Sequence, residues 1–234
     1  MVPDPLSRPA RAGSCGYGVD SLAALKSGRA RGPCKPACSR ETQEFGGSIF
    51  QVRIHGRGGQ GVVSAAEILS VAAFLEGAYA QAFPSFGSER MGAPVVAFCR
   101  LDNKEIRLRE PVMTPDALIV QDPTLLHQVD LFNGLDTRGY LLVNTRRSYR
   151  DLGLGDYVKQ FPPHHISTVA ATEWALEYVG RPLPNAALLG AFAAVTRRVT
   201  LDSVTAAIRR KFPGKLGDDN AAAAAKAYDS IRTN

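Results

Sequence analysis

The chain has 234 residues, 28 basic against 22 acidic, and a net charge of +6, which is enough length for one ordinary domain with an adequate core. No hydrophobic run is long enough to cross a bilayer, and Met1-Val2-Pro3-Asp4-Pro5-Leu6 lacks the apolar stretch of a secretion signal, so no membrane contact and a cytoplasmic location are expected. The basic residues are dispersed and no reader module appears, which disfavours nucleic acid; an anionic coenzyme and acidic partner subunits explain the charge as well.

Residues 1–47 are rich in Pro, Gly, Ser and Arg and carry seven basic against four acidic side chains. This composition predicts a flexible or partner-wrapping N-terminal extension. Cys15, Cys34 and Cys38 lie in it, and three thiolates at these spacings fall short of a four-cysteine cluster or a closed zinc site. The fourth cysteine, Cys99, lies on an apolar strand and is expected to be a buried structural thiol. Residues 48–234 then alternate strand and helix signals. Strands are predicted at Phe50–His55, Ala78–Phe83, Pro94–Leu101, Ala117–Gln121, Tyr140–Asn144 and His165–Val169. Helices are predicted at Val62–Glu76, Thr124–Leu131, Ala171–Val179, Asn185–Thr196, Leu201–Lys211 and Asp219–Ile231. Thr200 is a natural N-cap for the helix starting at Leu201, and Gly180 with Pro182 and Pro184 breaks two helices apart. The alternation specifies an α/β class: a single Rossmann-like domain with a mostly parallel sheet and helices on both faces.

Chemistry concentrates where the first strand meets the first helix. Ile54-His55-Gly56-Arg57-Gly58-Gly59-Gln60-Gly61-Val62 runs a buried strand into a loop of four glycines and then a helix. Backbone N–H groups of such a loop approach phosphate oxygens closely, and the helix start adds unpaired N–H groups and the positive end of its dipole. Gly56, Gly58 and Gly61 formally fit G-x-G-x-x-G, a weak signal by itself, and a tight turn without a ligand is the plain alternative. The predicted second strand, Ala78 to Phe83, ends without the Asp or Glu that holds a ribose, which disfavours NAD or FAD. No Gly-Lys-Ser/Thr follows, which excludes a P-loop.

A second polar loop, Phe83-Pro84-Ser85-Phe86-Gly87-Ser88-Glu89-Arg90-Met91-Gly92-Ala93-Pro94, joins two apolar strands where an α/β sheet opens onto its crevice. Together the two loops closely resemble the gamma subunits of the 2-oxoacid:ferredoxin oxidoreductases, above all the pyruvate type (pyruvate synthase). The likeness covers about residues 49–232 and includes Glu105-Ile106-Arg107-Leu108 and Asn185-Ala186-Ala187-Leu188-Leu189-Gly190-Ala191-Phe192. It implies a complex with alpha, beta and delta-type subunits that decarboxylates a 2-oxoacid on thiamine diphosphate with Mg2+. Electrons leave through [4Fe–4S] clusters to ferredoxin, and the acyl group passes to coenzyme A. The thiamine and the clusters are expected on partner subunits, whereas the gamma chain covers the active site and helps hold coenzyme A, with no catalytic residue and no metal of its own. Within the family, phenylglyoxylate, indolepyruvate or 2-oxoglutarate as substrate, and NAD as final acceptor, stay open. From another class, so does a stand-alone phosphate- or nucleotide-binding regulatory module.

The candidate cofactor-binding residues are Gly56, Arg57, Gly58, Gly59, Gln60, Gly61, Ser85, Gly87, Ser88, Glu89, Arg90 and Asn185. Each has a plainer reading beside the sharp one. The Arg57 guanidinium pairs with a coenzyme phosphate or bridges to a neighbouring subunit, since Arg suits both tasks. Gln60 donates to the same phosphate or braces the turn. Glu89 and Arg90 serve ligand and subunit contact or pair with each other on the surface. Asn185 begins a helix, where capping is the default role, with contact to the coenzyme or the thiamine-bearing subunit as the rival. His164 and His165 point in different directions in an extended strand and are assigned no function.

Overall fold

Val52 and Ile54 are fully buried on one side of the first strand, β1 (Phe50–Arg57), while Gln51, Arg53 and His55 occupy the other, and the rest of the molecule is arranged around this division. The computed structural model describes residues 49–85 and 91–233. The cysteine-bearing N-terminal segment therefore lies outside the described residues, as do the candidate site residues Gly87, Ser88, Glu89 and Arg90. After β1 come α1 (Val62–Leu75), β2 (Tyr79–Pro84), β3 (Pro94–Asp102), β4 (Ala117–Val120), β5 (Tyr140–Asn144), a short α2 (Gly155–Val158) and β6 (Ile166–Val169). Four helices close the chain: α3 (Ala171–Val179), α4 (Asn185–Thr196), α5 (Leu201–Lys211) and α6 (Lys215–Arg232). None of the described helices is long and apolar enough to cross a membrane.

The six strands form one sheet in the order β2-β3-β1-β4-β5-β6. β1, β4, β5 and β6 are parallel, and β3 alone runs against its neighbours, wedged between β1 and β2. The mostly parallel α/β sheet is thus as expected, but its second strand is not β1's partner. The order 1-4-5-6 of a doubly wound sheet holds on one side. On the other side an antiparallel hairpin replaces the second βαβ unit.

The two faces are covered unequally. The long helices α1, α3, α4, α5 and α6 pack on the face of Val52, Ile54, Ala97, Cys99 and Ile119. Short turns and α2 cover Leu118, Val120, Leu141 and Val143 on the other. At the centre of the helical layer α4 is buried almost all round, and a Cβ on Gly190 would lie 1.9 Å from the Ala224 carbonyl oxygen of α6. That close crossing explains the alanine run at 221–225: small side chains let two helices approach nearly backbone to backbone.

Three boundaries differ from the sequence expectation. The predicted helix at Thr124–Leu131 is a 3₁₀ turn, Pro123–His127, followed by loop. Asp122 and Pro123 start the turn well, but further on the chain turns the carbonyls of Leu131 and Asn133 to the buried Arg53 guanidinium, at 2.8 and 2.6 Å, which anchors this stretch as a loop. α6 begins at Lys215 rather than Asp219, released by Gly214 at φ 67°, with Gly217 against the Phe212 carbonyl. Finally, β1 runs on through Gly56 and Arg57, which pair with Val95 and Pro94. Thr200 caps α5 as expected, accepting the Ser203 N–H at 3.2 Å.

Candidate functional site

β1 and β4 are adjacent and parallel, and the chain leaves them on opposite faces, β1 into α1 and β4 into the 3₁₀ turn. Such a divergence opens a crevice at the carboxyl ends of the strands, where open α/β sheets take ligands. The glycine loop fills this position. The Gln60 N–H donates to the Arg57 carbonyl at 3.0 Å, and Gly59 and Gly61 take φ of 94° and 75°, values that a side chain strongly disfavours. Gly58 donates to Ala93 at 2.9 Å and accepts from Gly92 at 3.1 Å, which ties the C-terminal end of the polar loop to the glycine loop. Ser85 sits exposed at the far end of that loop, its N–H held by Val96.

α1 begins at Val62 with no side-chain cap and no acidic residue in its first turn. The amides of Gly59, Gly61, Val62, Val63 and Ser64 have no acceptor among the described residues. A 14-residue helix thus presents its dipole end and bare donors at the mouth of the crevice.

The structure reassigns Arg57. Its Nε donates to Asp122 at 3.1 Å, one Nη to Gly92 at 3.0 Å, and the other to Thr124 at 2.7 Å and Gln128 at 2.9 Å. Gln60 braces the same knot: its Oε1 accepts the Arg57 N–H at 2.9 Å and its Nε2 donates to Asp122 at 2.9 Å. The remaining Asp122 oxygen accepts the Thr124 N–H and hydroxyl. Burial pushes the Asp122 carboxyl up, but the hydrogen bonds from Thr124 and Gln60 and the Arg57 charge outweigh it, so it is held below its ordinary value. Asp122 escaped the sequence reading, which sought an acid on the second predicted strand. It lies two residues past the end of β4, the strand that actually runs parallel beside β1, and all four of its contacts are internal. The available signal was Asp-Pro-Thr, an N-cap followed by Pro at the first position of the turn.

Asn185 is brought to the loop from the far side. It is buried as the first residue of α4, with its Oδ1 2.9 Å from the adjacent Ala186 N–H, but the N-cap position is Pro184 and the helix start carries no side-chain cap, so the expected capping role is not found. Its amide also fills the space beside Gly61, where a Cβ would come within 2.5 Å of Nδ2. Gln121, next to Gly56, is buried with neither amide atom partnered. Behind it on β1, His55 is depressed to about 4 by burial and by the Arg53 charge, and is neutral near pH 7. Cys99 is fully buried in the core, and burial pushes its thiol up, as befits an inert structural residue. Among the described residues no group of three His, Cys, Asp or Glu side chains is placed to hold a metal ion.

Comparison with known proteins identifies the family. Residues 51–230 match the model of the pyruvate ferredoxin/flavodoxin oxidoreductase family. The chain is 49% identical over 181 residues to the pyruvate/ketoisovalerate oxidoreductases common subunit gamma of Pyrococcus furiosus, covering 77% of this chain and 96% of that one. It is 50% identical over 182 residues to the pyruvate synthase subunit PorC of Methanosarcina barkeri, covering 78% and 97%. The crystal structure of the pyruvate oxidoreductase subunit PORC of Thermotoga maritima superposes with a TM-score of 0.65 at 37% identity, over 77% of this chain and 96% of that one. The chain belongs to the pyruvate ferredoxin/flavodoxin oxidoreductase family.

Proposed function

From that membership, we propose that this chain is the gamma subunit of a cytoplasmic 2-oxoacid:ferredoxin oxidoreductase acting on pyruvate. Its task is to hold the anionic part of coenzyme A over the active site. The observation that carries this reading is the uncapped start of α1 with the glycine loop before it, where five amides have no acceptor among the described residues. A phosphate fits such a cradle without help from a side chain, which matters because the Arg57 guanidinium is already engaged. Asn185 borders the cradle beside Gly61. Thiamine diphosphate with Mg2+ and the [4Fe–4S] clusters, held by alpha, beta and delta-type partners, supply the decarboxylation and the electron path to ferredoxin. This chain's own groups bind and orient the coenzyme.

Two measurements test the reading. Purification of the chain from its native source should yield a stable heteromeric complex containing thiamine and iron–sulfur proteins. Calorimetric titration of coenzyme A into that complex should show binding that the Gly59→Val substitution weakens on the order of tenfold or more, because φ 94° strongly disfavours a β-branched side chain, which would also press on the Met91 side chain, so the loop could not keep its conformation. An active monomer that binds nucleotide by itself would overturn the subunit role, and wild-type coenzyme affinity in the assembled variant would overturn the cradle.

A further inference from the structure

The far edge of the sheet carries a feature that the coenzyme site does not use. β6 is the last strand of the sheet. The Val169 carbonyl accepts the Thr145 N–H at 2.8 Å, so Val169 and, by strand alternation, Ser167 turn their main-chain groups toward β5. Those of Ile166 and Thr168 face outward, with no main-chain partner among the described residues. Alongside this edge runs an open groove of about 1100 Å³. The chain from Pro163 to Thr168 forms one wall, and the C-terminal ends of α4 and α6 form the other.

The charge of the groove is one-sided. Arg197 and Arg232 line it as fixed positive charges and no Asp or Glu does; of the two histidines beside them, His165 is held below its ordinary value by burial and adds no charge near pH 7. Arg232 lies over the Tyr228 ring rather than in an ion pair. Arg197 closes α4 at φ 52°, the single positive φ at a non-glycine among the described residues. Such a conformation is disfavoured for a residue with a side chain and persists only where the surroundings impose it. Here it turns an exposed guanidinium into the groove at the point where the helix would otherwise run on.

We propose that this edge docks an extended, acid-bearing segment of a partner subunit, which adds alongside β6 as a seventh strand. An edge strand with outward main-chain groups is a template for β-augmentation, main-chain bonds giving affinity and flanking side chains giving specificity. The groove is open and exceeds the usual size of a small-ligand pocket, which favours a peptide over a compact anion. The proposal rests on the subunit role argued above.

Hydrogen exchange on the full complex, compared with the isolated chain, tests it. The peptide spanning residues 163–170 should exchange at least tenfold more slowly in the complex. A double variant, Arg197→Asn with Arg232→Glu, keeps a residue that tolerates positive φ while reversing the local charge. It should leave the melting temperature of the isolated chain unchanged and raise the dissociation constant for assembly at least tenfold at low salt. Equal exchange of 163–170 in both states, with residues 56–64 protected in the complex, sinks the docking proposal and leaves the subunit role standing. Concentration-dependent protection in the isolated chain would assign the edge to a second copy. Protection by millimolar pyrophosphate alone would assign it to a small anion, and either result overturns the partner segment. A chain that joins no complex overturns both readings.

Discussion

Arg57 shows how a residue legible as a ligand contact is placed as a brace. Its type and its glycine flanks were plain in the sequence, but its partners Asp122, Thr124 and Gln128 lie 65 to 71 positions away, and nothing local announces such a pairing. The fork of the guanidinium reaches four acceptors at once, which a lysine ammonium cannot reproduce. Arg57→Ala should therefore destabilise the chain by about 1–2 kcal/mol, the value of a charged hydrogen bond discounted for partial exposure, and Arg57→Lys by somewhat less. Thermal unfolding of the isolated chain checks it, and unchanged melting in both variants would free Arg57 for the coenzyme after all. His55 yields a second prediction at this scale. Its folded pKa of about 4 lies below the 6.5 of an ordinary histidine, so between these limits the unfolded chain binds the extra proton. Stability is then fully present above pH 6.5 and is lost as pH falls toward 4, by about 3 kcal/mol at most for this group. A His55→Gln chain should show a flatter decline of stability over that window; an unchanged slope would mean the histidine titrates freely.

At the scale of elements, strands and helices were readable wherever side-chain period and punctuation agreed. β5 is found over the residues expected, as are α3, α4 and α5, because Gly180, Pro184 and Thr200 mark their ends. Thr124–Leu131 misled because Leu125, Leu126 and Val129 have helical spacing, whereas the deciding contact is a buried arginine from β1. The insertion of β3 between β1 and β2 was equally invisible, since the pairing order of strands is settled by tertiary packing rather than by any local pattern. The α4–α6 crossing, by contrast, leaves a sequence trace in Gly190 and the alanine run. Gly190→Ala would gain helix propensity locally yet drive a methyl to 1.9 Å from the Ala224 carbonyl oxygen. Overpacking of this kind costs about 1–3 kcal/mol or more, so the variant should melt lower by several degrees. A higher melting temperature would show that the two helices separate easily.

On the function proposed above, the complex divides labour between a coenzyme cradle on this chain and substrate recognition elsewhere. The glycine loop, Asn185 and the start of α1 were legible as a site because glycine spacing betrays a backbone that must bend and come close. What the site serves was legible only through the resemblance, since bare amides recognise any phosphate. The Pyrococcus furiosus relative is by its name a subunit common to pyruvate and ketoisovalerate oxidoreductases, which fits a chain that does not read the 2-oxoacid side chain. Changes in the cradle should accordingly alter coenzyme use without altering acid preference. In the assembled complex, Gly61→Ala strains a φ of 75° and presses on the Asn185 amide, so the apparent KM for coenzyme A should rise on the order of tenfold. The ratio of kcat/KM for pyruvate to that for a branched 2-oxoacid, each measured at saturating coenzyme A, should stay within about twofold of wild type, because uniform loss of coenzyme binding cancels from it. A shifted ratio would mean that the glycine loop touches the substrate side of the active site, and the cradle would then have to be redrawn around the 2-oxoacid.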